Sequence, residues 1–157
     1  VDEAPQFLLI GGAVIFLGFV ALQAMWPLSG SRGDRKAARD KHSAAVSRGS
    51  DKARSEAERS TSLVEAGRIA LDELKRPRLA ARHAEWAHRL TPTSHAVIDL
   101  LLETLPKARR LRALERLLWL SADAEGSKGS HARGALIRLY EGPMKLPARA
   151  RALRHWA

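Results

Sequence analysis

The sequence predicts an all-α chain in two parts: one N-terminal transmembrane helix, then a small domain of antiparallel helical hairpins. Three observations carry this. Residues Phe7 to Trp26, FLLIGGAVIFLGFVALQAMW, hold no charge and a single amide, Gln23. From Leu63 onward, Leu, Ile, Val and Ala recur three and four residues apart between breaks made by Pro and Gly, which is the period of a helix with one buried face. No stretch alternates apolar and polar residues as a half-buried strand does. The predicted boundaries are a stub over 1–6, a membrane helix over 7–27, a charged juxtamembrane linker or helix over 28–60, and the hairpin domain over 61–157.

The first element follows from length and polarity. At about 1.5 Å per residue the uncharged stretch reaches roughly 30 Å, the depth of a bilayer's hydrocarbon core. Its Phe, Leu, Ile and Val residues outweigh the one Gln and the glycines on an insertion scale. A cleavable signal peptide would carry a basic leading segment, whereas Asp2 and Glu3 lead here. Trp26 falls where an interfacial aromatic belongs, and Pro27 ends the helix. Arg32, Arg35, Lys36, Arg39 and Lys41 follow on one side only, so the C-terminal domain is predicted on the cytoplasmic or matrix side. Trp26 with Arg32, Arg35, Lys36 and Arg39 would meet the membrane interface and anionic lipid headgroups. Gly11, Val14, Gly18 and Ala21 form a stripe of small residues that would let another membrane helix approach closely. A high pI and an early span suit a mitochondrial inner membrane or a bacterial cytoplasmic membrane.

Pro27, Ser29, Gly30, Ser31 and Gly33 break the helix at the head of residues 28–60. The segment continues as an Ala-rich run charged in both signs with almost no large apolar residue. Such a run reads as a solvated helix interrupted near Gly49, or as a tether. Ser62 followed by Glu65 has the pattern of a capping box, and predicts a helix start with Leu63, Ala66, Gly67, Ala70, Leu71 and Leu74 on its inner face. Pro77 opens a second helix running to Leu90, with Leu79, Ala80, His83, Ala84, Ala87 and Leu90 on one face. Ser94 is a candidate cap for a third, carrying Val97, Ile98, Leu101, Leu102 and Leu105. Pro106 restarts a fourth, burying Leu111, Leu114, Leu117, Leu118 and Trp119. Residues Asp123 to Ser130 read as a loop, and Ala132, Ala135, Leu136 and Leu139 mark a fifth helix. Gly142 and Pro143 break it before a short basic sixth segment.

The helices come in pairs with a period. Leu71, Leu105 and Leu139 stand 34 apart, as do Val64, Ile98 and Ala132, and Ala80, Leu114 and Ala148. In the junction AEWAHRLTP, Ala87, Leu90 and Pro92 take the second-helix Ala, Leu and closing Pro of a helix-turn-helix unit. This resembles the tetratricopeptide repeat, over roughly Thr61 to Ala157, as two fair units and a degenerate third. The Trp, Gly and Tyr usual in that family's first helices are missing, and Ala84 stands where it has an aromatic residue. The resemblance implies a small solenoid whose work is protein–protein contact, and it carries over no catalytic residue.

Composition narrows the partners. Lys and Arg number 27 against 17 Asp and Glu, for a net charge of +10, which suits an acidic protein surface, anionic headgroups or nucleic acid. Nucleic acid is the weakest of these, because the chain has one Tyr, and its three Phe all lie between residues 7 and 19. With no Cys, disulfides, thiolate metal sites and cysteine nucleophiles are excluded. His83 and His88 are five apart, on different helical faces, and H-E-x-x-H is absent, so His83 reads as a core residue. No nucleophile elbow or phosphate-cradling glycine loop occurs. The sequence thus assigns no catalytic residue, no metal ligand and no cofactor. Arg109, Arg110, Arg112 and Arg116 are the candidate extrinsic partner contact. The function expected is that of a non-catalytic accessory, structural or assembly subunit of a large membrane complex of respiratory, ATP-synthase or photosynthetic type. The alternative is a free-standing membrane-tethered adaptor that recruits a soluble protein client.

Overall fold

The computed structural model describes residues 32–126 and 131–155, and all regular structure among them is helical. The helices are α1 (Arg32–Ser50), α2 (Glu56–Asp72), α3 (Pro77–Leu90), α4 (His95–Lys107), α5 (Leu111–Glu125), α6 (His131–Glu141) and α7 (Pro147–His155). The chain divides after Lys36 into two units, and α2 to α7 all belong to the second, Ala37–Ala157.

The all-α expectation holds, but the transmembrane architecture is corrected. No helix among the described residues is long and apolar enough to cross a membrane. The longest, α1, has 19 residues and the reach of a span at about 28 Å. Within two turns, however, it carries Arg35, Lys36, Arg39, Asp40 and Lys41, and each charge at bilayer depth costs about 2.5–3.5 kcal/mol or more. No described helix therefore supports the single-pass assignment or the mitochondrial or bacterial membrane location built on it. The expected span over 7–27, with Gly11, Val14, Gly18, Ala21 and Trp26, lies outside the described residues. Arg35, Lys36 and Arg39 lie exposed on the first turns of α1.

The charged run expected as solvated helix or tether is in fact a packed helix. Ala38 and Ala45 of α1 are buried, and Ala45 with Val46 packs on Ala66, Ile69 and Leu74. Small residues explain how so polar a helix docks: its backbone comes close enough that a Cβ on Gly49 would stand 2.7 Å from Leu63 Cγ. Arg48 to Glu65 (2.7 Å) and Lys41 to Glu73 (3.7 Å) add exposed ion pairs across the same seam.

The capping box is real but seven residues, about two helical turns, earlier than expected. Ser55, not Ser62, caps α2: the Glu58 amide donates to Ser55 Oγ and the Ser55 amide donates to Glu58 Oε2. Ser62 lies within α2 and donates to the Glu58 carbonyl one turn back. Pro77 does open α3, which ends at Leu90. Pro106 closes α4 rather than starting α5, whose first residue is Leu111. Residues 123–125, expected in a loop, complete α5, and Gly126 terminates it in the left-handed conformation.

Three hairpins follow: α2–α3, α4–α5 and α6–α7. Each inner turn places a basic residue at positive φ: Lys75 (54°), Arg109 (60°) and Lys145 (52°). The next amide then closes back on the first helix, from Arg76 to the Ala70 carbonyl (2.8 Å), Arg110 to Leu105 (2.9 Å) and Leu146 to Tyr140 (2.7 Å). The turns recur at spacings of 34 and 36. Helices adjacent in sequence pack together, and the first helices of successive hairpins, α2 with α4 and α4 with α6, also touch.

One apolar core runs the length of the stack. It takes Leu63 and Val64 from α2, Ala84 and Ala87 from α3, Val97, Ile98, Leu100, Leu101 and Leu105 from α4, Leu114 and Leu118 from α5, and Leu136 and Leu139 from α6. Alanine dominates the buried face of α3, where α2 and α4 both pack against it. The tightest crossing is at Gly67, where a Cβ would meet Leu100 Cδ2 at 2.6 Å, and Leu100 is fully buried and has no room to swing away. Gly67→Ala is accordingly expected to destabilise the domain by about 1–3 kcal/mol, despite alanine's better helix propensity. Urea midpoints of the two proteins measure this; an unchanged or higher midpoint would show that the α2–α4 crossing yields.

Candidate interaction surface

The four arginines singled out from sequence do not act as one cluster. Arg109 is the left-handed residue of the α4–α5 turn. Arg110 precedes α5 and is engaged within the fold, its Nη1 lying 2.6 Å from Glu85 Oε1 of α3. Arg112 and Arg116 are exposed on α5 and take part in no ion pair among the described residues. They are one turn apart, and Trp119 and Leu120 continue the same side of the helix at spacings of three and four.

Trp119 departs from expectation. It is 40 % exposed, and Leu120 beside it is 52 % exposed; these are the exposed large apolar side chains among the described residues. The reason is the register of α5. Leu114, Leu118, Ser121 and Ala122 fill the buried stripe, which leaves position 119 at its edge. The indole lies against Tyr140 of α6, and its Nε1–H donates to Tyr140 Oη at 3.1 Å. Tyr140 is only 2 % exposed. Its hydroxyl donates to Glu115 Oε1 at 2.7 Å, and Arg149 Nη1 of α7 donates to the same oxygen at 3.0 Å. Burial and the neighbouring Glu115 carboxylate both push the Tyr140 phenol up, so it remains a neutral donor.

These groups rim a cavity of about 340 Å³ between α5 and α7, with Ala152 and Leu153 as its apolar wall. Its polar atoms are engaged with one another, so the indole and the Tyr ring are held in place before any partner arrives. Pre-ordered aromatic groups lose little entropy on binding, which is how such residues anchor protein interfaces. Arg112 and Arg116 supply unpaired positive charge on the helix that bears the indole.

The histidines form contacts that their sequence separation hides. His42 and His83 face each other with Nε2 atoms 3.0 Å apart. His88 shares a 2.8 Å hydrogen bond with Ser121 Oγ, tying α3 to α5. His95 stacks on His131 at 4.4 Å between ring centroids, and His131 bonds Asp99 Oδ1 at 2.9 Å. His83 and His88, placed by sequence on different faces, are both buried, at 7 % and 4 % exposure, because helices pack on two sides of α3. Nothing in the linear spacing pointed to these pairs or to the Glu115–Tyr140–Trp119 chain, in which Tyr140 bonds residues 25 and 21 positions away. Comparison of the chain with family models, with curated proteins and with solved structures finds no match for it.

Proposed function

We propose that this chain is a non-catalytic docking module that holds an acidic segment of a partner protein against α5 and α7. The observation that carries this reading is the stripe of Arg112, Arg116, Trp119 and Leu120: two unpaired guanidinium groups continuing into two exposed apolar side chains beside a preformed cavity. Charge complementarity defines the occupant, since a chain of net charge +10 favours a carboxylate-bearing segment, and the indole favours one that also offers an apolar side chain. Three hairpins with one recurring turn geometry support the tetratricopeptide-like reading, in which a stack of helices serves as a contact scaffold. The role is then that of an accessory or adaptor subunit in a protein assembly.

The test is native mass spectrometry of the chain isolated from its own cells at physiological salt, repeated with Trp119→Ala and with the pair Arg112→Glu and Arg116→Glu. A stoichiometric protein partner is expected. Trp119→Ala should weaken its binding about 30-fold, as loss of an anchor worth about 2 kcal/mol. The charge reversal should weaken it further at low salt than at high salt. A partner retained equally by all three proteins binds elsewhere and overturns the assignment.

A further inference from the structure

A second cleft, of about 470 Å³, lies between α1 and α3. Its size falls within the range of small-molecule sites. Arg82, Trp86 and Arg89 recur at spacings of four and three, which places them along one stripe of α3, and His83 adjoins them. His42 and Val46 line the opposite wall on α1.

The charge balance of this cleft is one-sided. Arg82 and Arg89 are in no ion pair among the described residues. Glu85 is the acid in the lining, and it is engaged by Arg110 at 2.6 Å. Arg76, on the turn before α3, adds positive potential at His42, and Arg82 does so at His83. On α1 the neighbouring Lys41 is matched by Glu73 of the turn after α2. The two imidazoles share a hydrogen bond, one ring donating and the other accepting, so at least one of them is neutral. His83 Nδ1 is buried with no partner. Two forked guanidinium groups, two imidazole rings and no free carboxylate form a donor-rich, cation-rich pocket, and the flat indole and two aliphatic side chains, Val46 and Leu79, complete its lining.

We propose that this cleft binds an organic phosphate. The phosphate lies among Arg82, Arg89 and the His42–His83 pair, and the organic body lies against Trp86 and Val46. Guanidinium forks match the paired oxygens of a phosphate. A dianion between the imidazoles also removes the reason for one to stay neutral: each ring takes a proton, their mutual hydrogen bond breaks, and each donates to a phosphate oxygen. Anion binding is therefore coupled to proton uptake.

Isothermal titration with phenyl phosphate and with sulfate tests this, sulfate being a dianion throughout the pH range used. Both are expected to bind at pH 6.5, phenyl phosphate more tightly. Arg82→Gln and Arg89→Gln, both on the surface, should each weaken both anions about tenfold or more. Trp86→Leu should weaken phenyl phosphate and leave sulfate unchanged. Sulfate affinity should rise as pH falls from 7.5 to 5.5, by up to about tenfold per unit for each proton taken up. Absence of binding at pH 6.5, binding that survives the double arginine variant, or phenyl phosphate no tighter than sulfate would each overturn the proposal. Sulfate affinity independent of pH would remove the histidine pair from the site and overturn it as well.

Discussion

Acid is expected to destabilise this domain well above the range where carboxylates titrate. Burial, then His42 and Arg82, lower the pKa of His83 from the ordinary 6.5 to about 4. Between these values the unfolded chain binds a proton at this ring that the folded chain does not. Stability from this source is fully present above pH 6.5 and is lost as pH falls toward 4. The shift corresponds to at most about 3 kcal/mol. Burial lowers His42 and His88 as well, so they act in the same direction. Urea unfolding at pH 7.5, 6.5, 5.5 and 5.0 should show a midpoint that falls steadily over this window. In His83→Gln, which keeps a polar group but cannot titrate, the fall should be shallower. Parallel pH profiles for the two proteins would mean that His83 takes its proton without cost. Sulfate at saturating concentration should flatten the profile of the unsubstituted protein, because an anion in the cleft favours the charged rings.

The second large effect is in the core. Leu101→Ala should lower the unfolding free energy by about 2–5 kcal/mol. Leu101 is fully buried at the middle helix of the stack, with helices from the hairpins on either side packed around α4, so no neighbour can collapse into the space. Leu120→Ala deletes the same atoms from a side chain that is 52 % exposed and should change stability by no more than about 0.5 kcal/mol. Comparison of the two urea midpoints separates a core leucine from a contact leucine. A Leu120→Ala loss comparable to that of Leu101→Ala would show that Leu120 is packed in solution, and would take away one member of the proposed docking stripe.

The helical pattern was legible where one face does the burying. Pro77, Leu90 and the inner faces of α4 and α6 were read correctly because apolar spacing and proline act locally. The start of α2 was misread because Ser55–Glu58 and Ser62–Glu65 have the same capping pattern, and only the first precedes a helix. The packing of α1 was missed because its buried residues are alanine and glycine, which contribute by letting backbones approach and leave no apolar signal. The burial expected for Trp119 failed because periodicity does not distinguish the centre of a buried stripe from its edge. The membrane span was inferred from composition over residues that the structure does not describe, and no described helix supports it. His42 with His83 and Glu115 with Tyr140 were unreadable for another reason: each pair is made by helix stacking, which brings residues 41 and 25 positions apart into contact.

The three inner turns have an implication for how such a chain changes over time. Each elbow is closed by main-chain atoms alone, an amide returning to a carbonyl five or six positions back. The side chain at its left-handed position points outward in each case, and lysine and arginine serve there although glycine would fit with less strain. Little in this geometry depends on residue identity. Substitutions can therefore accumulate letter by letter in the hairpins while the bend between their helices stays the same, so the elbow is written in the path of the backbone and not in the alphabet.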